Sequence, residues 1–150
     1  MAESRAKRMK IVLTLAEQRE QAAARQLGEW RKQLVAEQAQ LQQLTEYRDH
    51  YQQIYAERSQ VRSANDLLTY SSFLQRLVVA CTEQEQKIVL VQRQHDMSLQ
   101  AWQRSYHRRQ SIAQMIDRLQ NDELLALEKR LQKELDEQAT QGFIRGQWQD

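Results

Sequence analysis

The sequence contains no proline and only three glycines, at Gly28, Gly142 and Gly146. Because proline and glycine are the strongest helix breakers, their scarcity leaves long helices uninterrupted. A single cysteine, Cys81, excludes an internal disulfide and suits a reducing compartment. Apolar residues make up 41% of the 150 residues and aromatic residues only 7%. We therefore expect one domain with an apolar seam and no deep globular core.

The chain also lacks a large charge of one sign. Its 22 basic and 20 acidic residues give a net charge of +2, too small to indicate a dedicated nucleic-acid binder. No apolar run approaches the roughly 20 residues of a membrane span. The short apolar run over residues 11–16 is too brief for a secretory signal. The sequence predicts a cytosolic protein without a nucleic-acid partner or an inserted membrane segment.

What the sequence does contain is a heptad repeat, in which apolar residues recur at the positions called a and d. With Leu13 at position a, ten of the thirteen a and d residues between Leu13 and Tyr55 are apolar. A second series from Leu67 to Leu119 has eleven apolar residues among sixteen. Such repeats are typical of coiled-coil helices. We predict an all-α fold, with helices over about 6–60 and 66–140 joined by a turn at about 61–65.

One register aligns the two series if the chain folds back on itself. Facing residues then have numbers that total 125, so that Tyr55 faces Tyr70, Leu13 faces Ile112 and Glu20 faces Ser105. Ser63 or Asn65 is available to cap the second helix. In the same register Trp30 falls opposite the smaller His95, which is the large-against-small pairing that close packing favours. The sequence thus predicts an antiparallel two-helix coiled-coil hairpin.

The second helix is predicted to be the longer one. Beyond the start of the first helix it continues as an overhang with an apolar stripe, shifted by one position from the earlier heptad. The stripe consists of Leu124, Leu127, Leu131 and Leu135. Gly142 and Gly146 are expected to end the helix and leave a frayed tail over 141–150. Nothing in its own chain is expected to cover the stripe.

The residues that chemistry needs do not occur in the required patterns. The three glycines stand alone, so there is no phosphate-binding loop. None of the three histidines follows a glutamate at the spacing of bundle metal sites. His95 and Cys81 are interpreted as seam residues, and the basic residues at 104–109 as a solvated helix face rather than a phosphate or lipid site. We expect no catalytic residue, no cofactor and no metal.

A second apolar stripe lies beside the seam, at the heptad position called g. This position usually carries charge in coiled coils. Here the g residues alternate with d residues along each helix, and the two helices bring their g edges together. The resulting face is a candidate binding surface, although exposed aromatic residues could also simply thicken the seam. Its members are Gln40, Leu44, Tyr47, Tyr51, Ile54, Phe73, Leu77, Ala80 and Gln84.

Several short segments, in order along most of the chain, resemble the flagellar export protein FliJ family. They are Leu27-Gly28-Glu29-Trp30, Leu44-x-x-Tyr47-x-x-x-Tyr51, Ser63-Ala64-Asn65, Tyr70-x-x-Phe73-x-x-x-Leu77, and Trp102 followed by basic residues. The resemblance implies a cytoplasmic antiparallel two-helix coiled coil, similar to the central stalk of rotary ATPases and peripheral to the cell membrane at the flagellar base. It further implies binding to the hexameric flagellar export ATPase, to the cytoplasmic domain of the export gate, and to export chaperones.

The resemblance also assigns two clusters of surface residues. One matches Gln40, Leu44, Tyr47 and Tyr51. The other, associated with the export gate, matches Phe73, Leu77 and Ala80. The family commonly has histidine at the fourth position of the second cluster, where this chain has Gln84. The leucine stripe of the overhang is the predicted contact to the ATPase ring.

Two other interpretations remain open at this point. The first is the counterpart stalk of virulence type III injectisomes, which shares the architecture. The second is a generic homodimeric coiled-coil scaffold in which the overhang is the site of self-association. Sequence pattern alone does not separate these proteins from a flagellar one.

Overall fold

A computed structural model describes residues 4–58 and 63–147 of the chain. It contains two helices, α1 (Arg5–Arg58) and α2 (Ala64–Gln147), and no strand within those residues. The helices pack against each other as a hairpin in which α2 is the longer, as the sequence predicts. Residues 59–62, which include the first part of the predicted turn, lie outside the described residues.

Serine side chains cap the start of both helices. The Lys7 N–H donates a hydrogen bond to Ser4 Oγ at 3.1 Å, and the Asp66 N–H donates one to Ser63 Oγ at 3.4 Å. These bonds satisfy backbone donors that have no partner inside a helix, which fixes where each helix begins. Ser63, one of the two candidate caps predicted from the sequence, is therefore the N-cap residue of α2.

The predicted seam is the buried side of both helices. All thirteen a and d residues of the first series and all sixteen of the second are buried or half-buried. The most deeply buried side chain is Cys81. Residues at the other heptad positions are mostly exposed. The heptad phase read from the sequence is thus the phase of the structure.

The contacts of the hairpin fall into two units. The terminal unit comprises Met1–Glu20 and Ser105–Asp150, and the middle unit comprises Gln21–Arg104. In the terminal unit, Ile112 belongs to a buried cluster against which Leu13 packs. In the middle unit, the Tyr55 and Tyr70 rings stack with their centroids 5.8 Å apart. Both pairs follow the predicted register.

One polar contact of the terminal unit differs from the prediction. The sequence register places Ser105 opposite Glu20, whereas the structure pairs the Glu20 carboxylate with the Arg109 guanidinium. Arg109 lies one helical turn further along α2, and its long side chain reaches back across the seam. Its guanidinium also lies over the Tyr106 ring, 5.1 Å from the centroid.

The C-terminal end of α2 also differs from the prediction. The helix runs to Gln147, past Gly142 and Gly146, where the sequence suggested that it would end. No described glycine has a positive φ. Glycine ends a helix when it adopts the left-handed conformation, and otherwise it only weakens the helix by about 1 kcal/mol. Residues 148–150 of the predicted tail lie outside the described residues.

The seam ends where α1 begins. The Ala6 N–H at the start of α1 is 3.5 Å from Glu123 Oε1 of α2. A carboxylate at this place is favourable, because the N-terminus of a helix carries partial positive charge. From residue 121 to residue 146 every residue of α2 is exposed. We call residues 124–147 the overhang.

Candidate docking surfaces

An aromatic cluster on the middle unit joins the two helices. Tyr51 is at its centre and contacts Phe73 edge-to-face, with ring centroids 5.0 Å apart and an interplanar angle of 83°. Tyr47 stacks on Tyr51 at 6.4 Å, and Tyr70 meets Tyr51 at 6.0 Å. Edge-to-face and offset-stacked pairs are the favourable arrangements of aromatic rings. The cluster therefore holds the exposed rings in fixed orientations.

The members of the predicted face differ in exposure. Tyr47 is 57% exposed and Phe73 is 40% exposed. Gln40 is also exposed, whereas Leu44, Tyr51, Leu77 and Ala80 are half-buried beneath them. The contact between Tyr51 and Phe73 brings the predicted cluster on α1 beside the predicted cluster on α2. We call this surface, formed by Gln40, Leu44, Tyr47, Tyr51, Phe73, Leu77 and Ala80, the aromatic face.

Gln84 does not lie on the exposed part of this surface. Its side chain is buried in the seam and only 7% of the residue is exposed. Its amide Nε2 donates to the Glu37 backbone oxygen at 3.0 Å and to Glu37 Oε2 at 2.5 Å. A d position directs the side chain toward the partner helix, and Glu37 supplies the acceptors that a buried amide needs. Gln84 therefore belongs to a polar layer of the seam.

The second hydrogen-bonding partner of Glu37 is Lys87. The Lys87 ammonium lies 3.1 Å from Glu37 Oε1. The hydrogen bond from Gln84, followed by that from Lys87, lowers the pKa of the Glu37 carboxyl below its ordinary value. Hydrogen bonds to the charged form of a group favour that form. Glu37 is thus held as a carboxylate within the seam.

Sequence reasoning missed some of the residues that shape these surfaces. Glu37 and Gln84 both occupy d positions, and in the predicted register Gln84 lies one helical turn from the residue that faces Glu37. Two polar residues so close together in an apolar seam could have indicated their hydrogen bond. His50, whose ring lies edge-on to Tyr51 at 5.6 Å, carried no such signal because it lies outside positions a, d and g. Tyr70 was assigned to the seam, yet its ring also supports Tyr51.

The overhang presents the second predicted surface. Leu124, Leu127, Leu131 and Leu135 are between 50% and 65% exposed. Continuing the seam heptad beyond Leu119 would select Glu123 and Ala126, so the leucine stripe is rotated by one residue, about 100°, away from the seam. A longer α1 along the seam would therefore leave these leucines uncovered.

The described part of the chain contains neither a metal-binding cluster nor a membrane-spanning stretch. No group of three or more histidine, cysteine, aspartate and glutamate side chains there is arranged to hold a metal ion. Neither helix, as far as the structure describes it, has a stretch long and apolar enough to cross a membrane. The Cys81 thiol is buried in the seam. His95 is half-buried, with Nδ1 3.2 Å from Asp96 Oδ1.

Fold and surfaces together define a two-helix coiled-coil protein that exposes apolar side chains on its middle unit and on its overhang. The sequence matches the family described as Flagellar FliJ protein over residues 5–147. The flagellar FliJ protein of Escherichia coli strain K12 is 30% identical over 132 residues, which is 87% of this chain and 90% of that protein. The flagellar FliJ protein of Salmonella typhi is 28% identical over the same shares of the two chains. No solved structure matches the chain. The chain belongs to the FliJ family of flagellar proteins.

Proposed function

We propose that the chain is a non-enzymatic stalk of the flagellar type III protein export apparatus. It binds the hexameric export ATPase and the cytoplasmic domain of the export gate, and it assists the delivery of substrates by export chaperones. Membership of the FliJ family over residues 5–147 is the observation that carries this proposal. The family assignment favours a flagellar stalk over the counterpart of virulence injectisomes. Such a protein resides in the cytoplasm, at the inner face of the membrane at the flagellar base.

The aromatic face is the proposed contact to the gate and to chaperones. Exposed tyrosine and phenylalanine supply a large contact area at a low cost in conformational entropy, so such residues are common in binding surfaces. Tyr47 and Phe73 are the members that a partner would reach first, because they are exposed. Tyr51, half-buried between them, holds both rings in place. Gln84 supports this face from the seam through its bonds to Glu37.

The overhang is the proposed contact to the ATPase ring. Its four exposed leucines belong to the terminal unit, which also contains the start of α1. A single asymmetric helix inside a ring makes different contacts with each subunit, and differential contacts of this kind favour different subunit states in turn. The chain itself then needs no catalytic group.

A pull-down with the purified ATPase and the gate domain tests the aromatic face. The variants Tyr47→Ala and Phe73→Ala remove the exposed rings, and we expect each to lower retention of the gate domain by roughly tenfold or more, as truncating an aromatic interface anchor does. Retention of the ATPase should not change. Leu68→Ala is the matched control, because Leu68 is exposed on the same unit and lies outside the aromatic face. Full retention of the gate domain by both variants would exclude this face as its docking site.

A further inference from the structure

The pairing of the helices in the terminal unit brings two arginines to one flank of the hairpin. Arg109 of α2 is paired with Glu20 of α1, and both residues occupy position a. The residues that precede them, Arg108 and Arg19, occupy position g, and in an antiparallel pair the g edges of the two helices adjoin. Both arginines are exposed, and neither forms an ion pair with another residue that the structure describes. The pattern of α2 alone left Arg108 on a solvated face, because it did not show this neighbour.

Apolar side chains lie on the same flank, one heptad closer to the start of α1. Val12 and Met115 occupy the g positions there, about 10 Å along each helix from the two arginines at 1.5 Å per residue. Leu15 occupies position c, which adjoins g on the helix surface. These three side chains are between 37% and 50% exposed. They form an apolar patch that spans both helices.

Two further arginines lie on the other side of this patch. Arg8 and Arg118 occupy position c of their helices, and both are exposed. Neither has an ion-pair partner among residues 4–58 and 63–147. Arginines therefore bound the apolar patch at both ends. We call this surface the arginine flank; its members are Arg8, Val12, Leu15, Arg19, Arg108, Met115 and Arg118.

Charge is distributed unevenly around this part of the terminal unit. Residues 5–20 and 105–120 contain eight basic and three acidic residues, a net charge of +5. The heptad places none of the three acidic residues on the arginine flank, since Glu20 is in the seam and the other two lie on the opposite flank. That opposite flank is neutral, because two lysines accompany the two carboxylates: Lys7, Lys10, Glu17 and Asp117. Four positive charges are thus concentrated on one side.

The residue types of the arginine flank favour lipid phosphates as its ligand. A guanidinium can bind a phosphate through two parallel hydrogen bonds, whereas an ammonium acts as a point charge. The apolar centre suits a membrane interface, where side chains of helices that lie in the interface enter the boundary between headgroups and acyl chains. A nucleic acid would instead be bound through polar groups or aromatic rings that contact or stack on bases. Two helices side by side also present positions g and c as a broad surface rather than a pocket.

We propose that the arginine flank lies on the surface of an anionic membrane. Its four arginines bind lipid phosphates, and its apolar centre enters between the headgroups. Near an anionic surface each arginine raises the affinity about fivefold, which corresponds to about 1 kcal/mol. This inference rests on the proposed location at the inner face of the membrane, and it assigns the contact with lipid to the chain itself.

Co-sedimentation of the full chain with lipid vesicles tests the contact. We expect binding to vesicles of equal parts phosphatidylglycerol and phosphatidylcholine, no binding to pure phosphatidylcholine, and release in high salt because the charges are screened. Arg19→Glu/Arg108→Glu should lower the partition coefficient on the anionic vesicles by at least about twentyfold, since two arginines at about fivefold each are lost. Leu15→Ser should lower it severalfold and leave its dependence on salt unchanged.

The matched control is Lys7→Glu/Lys10→Glu, which changes the net charge by the same amount on the opposite flank. Its binding should stay within about threefold of the parent chain, because a helix about 10 Å thick separates these lysines from the lipid and the Debye length at physiological salt is about 8 Å. Circular dichroism should show equal helix content in all variants. Equal losses in the lysine and arginine variants would overturn the proposal, since net charge alone would then govern binding.

A parent chain that does not bind the anionic vesicles, or that binds both kinds of vesicle equally, would also overturn it. If the arginine variant then lost retention of the ATPase or the gate domain in the pull-down, the arginine flank would serve an acidic protein surface instead. The vesicle experiment contains only the purified chain and lipid. Its failure would therefore leave the proposed contacts with the ATPase and the gate unaffected, and their failure would leave lipid binding unaffected.

Discussion

Glu37 and Gln84 show how a polar pair is accommodated in an apolar seam. The Gln84 amide donates to both the backbone oxygen and the carboxylate of Glu37, and Lys87 supplies a positive charge at the rim. A buried polar group without such partners would be costly, whereas a satisfied one specifies which residues must face each other. A polar seam residue can thereby fix the register of a coiled coil. We infer that this layer disfavours a slip of α2 along α1.

The lowered pKa of Glu37 makes part of the stability dependent on pH. Since the pKa in the folded state lies below the ordinary value of 4.5, the contribution is complete above that value and is lost as the pH falls through the lowered pKa. We expect Glu37→Gln to be less stable than the parent chain at pH 7 and the difference to shrink on acidification below about pH 4. Urea unfolding at several pH values, followed by circular dichroism, measures this.

The exposed Glu17→Gln serves as the control for this experiment, because Glu17 lies outside the seam. It should show almost the same stability as the parent chain throughout the pH range. If Glu37→Gln were as stable as the parent at pH 7 and followed the same acid transition, the polar layer would contribute nothing to folding.

Each helix continues without interruption because nothing in its sequence forces an end. Gly28 is helical, no described glycine has a positive φ, and a Cβ added at Gly28 would meet no atom within 4 Å. Gly28 therefore loses more conformational entropy on folding than another residue would, although its backbone conformation does not require glycine. We expect Gly28→Ala to raise the free energy of unfolding by about 0.5–1 kcal/mol. Ala36→Gly, at an exposed position of the same helix, should lower it by a similar amount.

Thermal unfolding of both variants against the parent chain measures the two effects. A loss of stability in Gly28→Ala would mean that this position needs glycine for a reason other than backbone conformation, such as the close approach of another molecule.

At the scale of the helices, the heptad pattern was sufficient to predict which residues are buried. It placed the seam and the register, because a and d positions depend on local spacing. The sequence also offered Ser63 as one of two candidate caps, and the structure uses Ser63. It did not predict the end of α2, because the effect of Gly142 and Gly146 depends on backbone conformation rather than on residue type. Nor did it place Gln84 in a bond with Glu37, since the direction of a long polar side chain depends on the acceptor that it finds. The docking role of the aromatic face stays a prediction.

The chain consists of two units of helix pairing, and the terminal unit includes an overhang that none of the described residues covers. Exposed leucines on a solvated helix are unfavourable unless a partner covers them, so large apolar patches commonly mark interaction sites. The terminal unit supplies this surface. The middle unit supplies the aromatic face. Each surface can therefore be altered without changing the others.

Substitution of the leucine stripe tests its proposed contact to the ATPase. We expect Leu127→Ser/Leu131→Ser to raise the concentration of the chain needed for half-maximal stimulation of ATP hydrolysis by at least about tenfold. A loss of about 1.4 kcal/mol in binding free energy raises the Kd by that factor. Binding to the gate domain should be unchanged. The control is Leu125→Ser/Ala126→Ser on the other side of the same turns. Normal stimulation by the leucine variant would show that the ring is contacted elsewhere.

The leucine stripe is rotated by one residue relative to the seam. The side of α2 that packs against α1 is therefore not the side on which the overhang exposes its leucines. Shortening or lengthening α1 by a turn would alter how far the pairing extends, yet the leucines would keep pointing to the same flank of α2. A molecule seated on that flank would lie to one side of the line that α1 would follow if it were extended. Added or missing residues at the start of α1 would therefore leave the orientation of the leucine stripe unchanged.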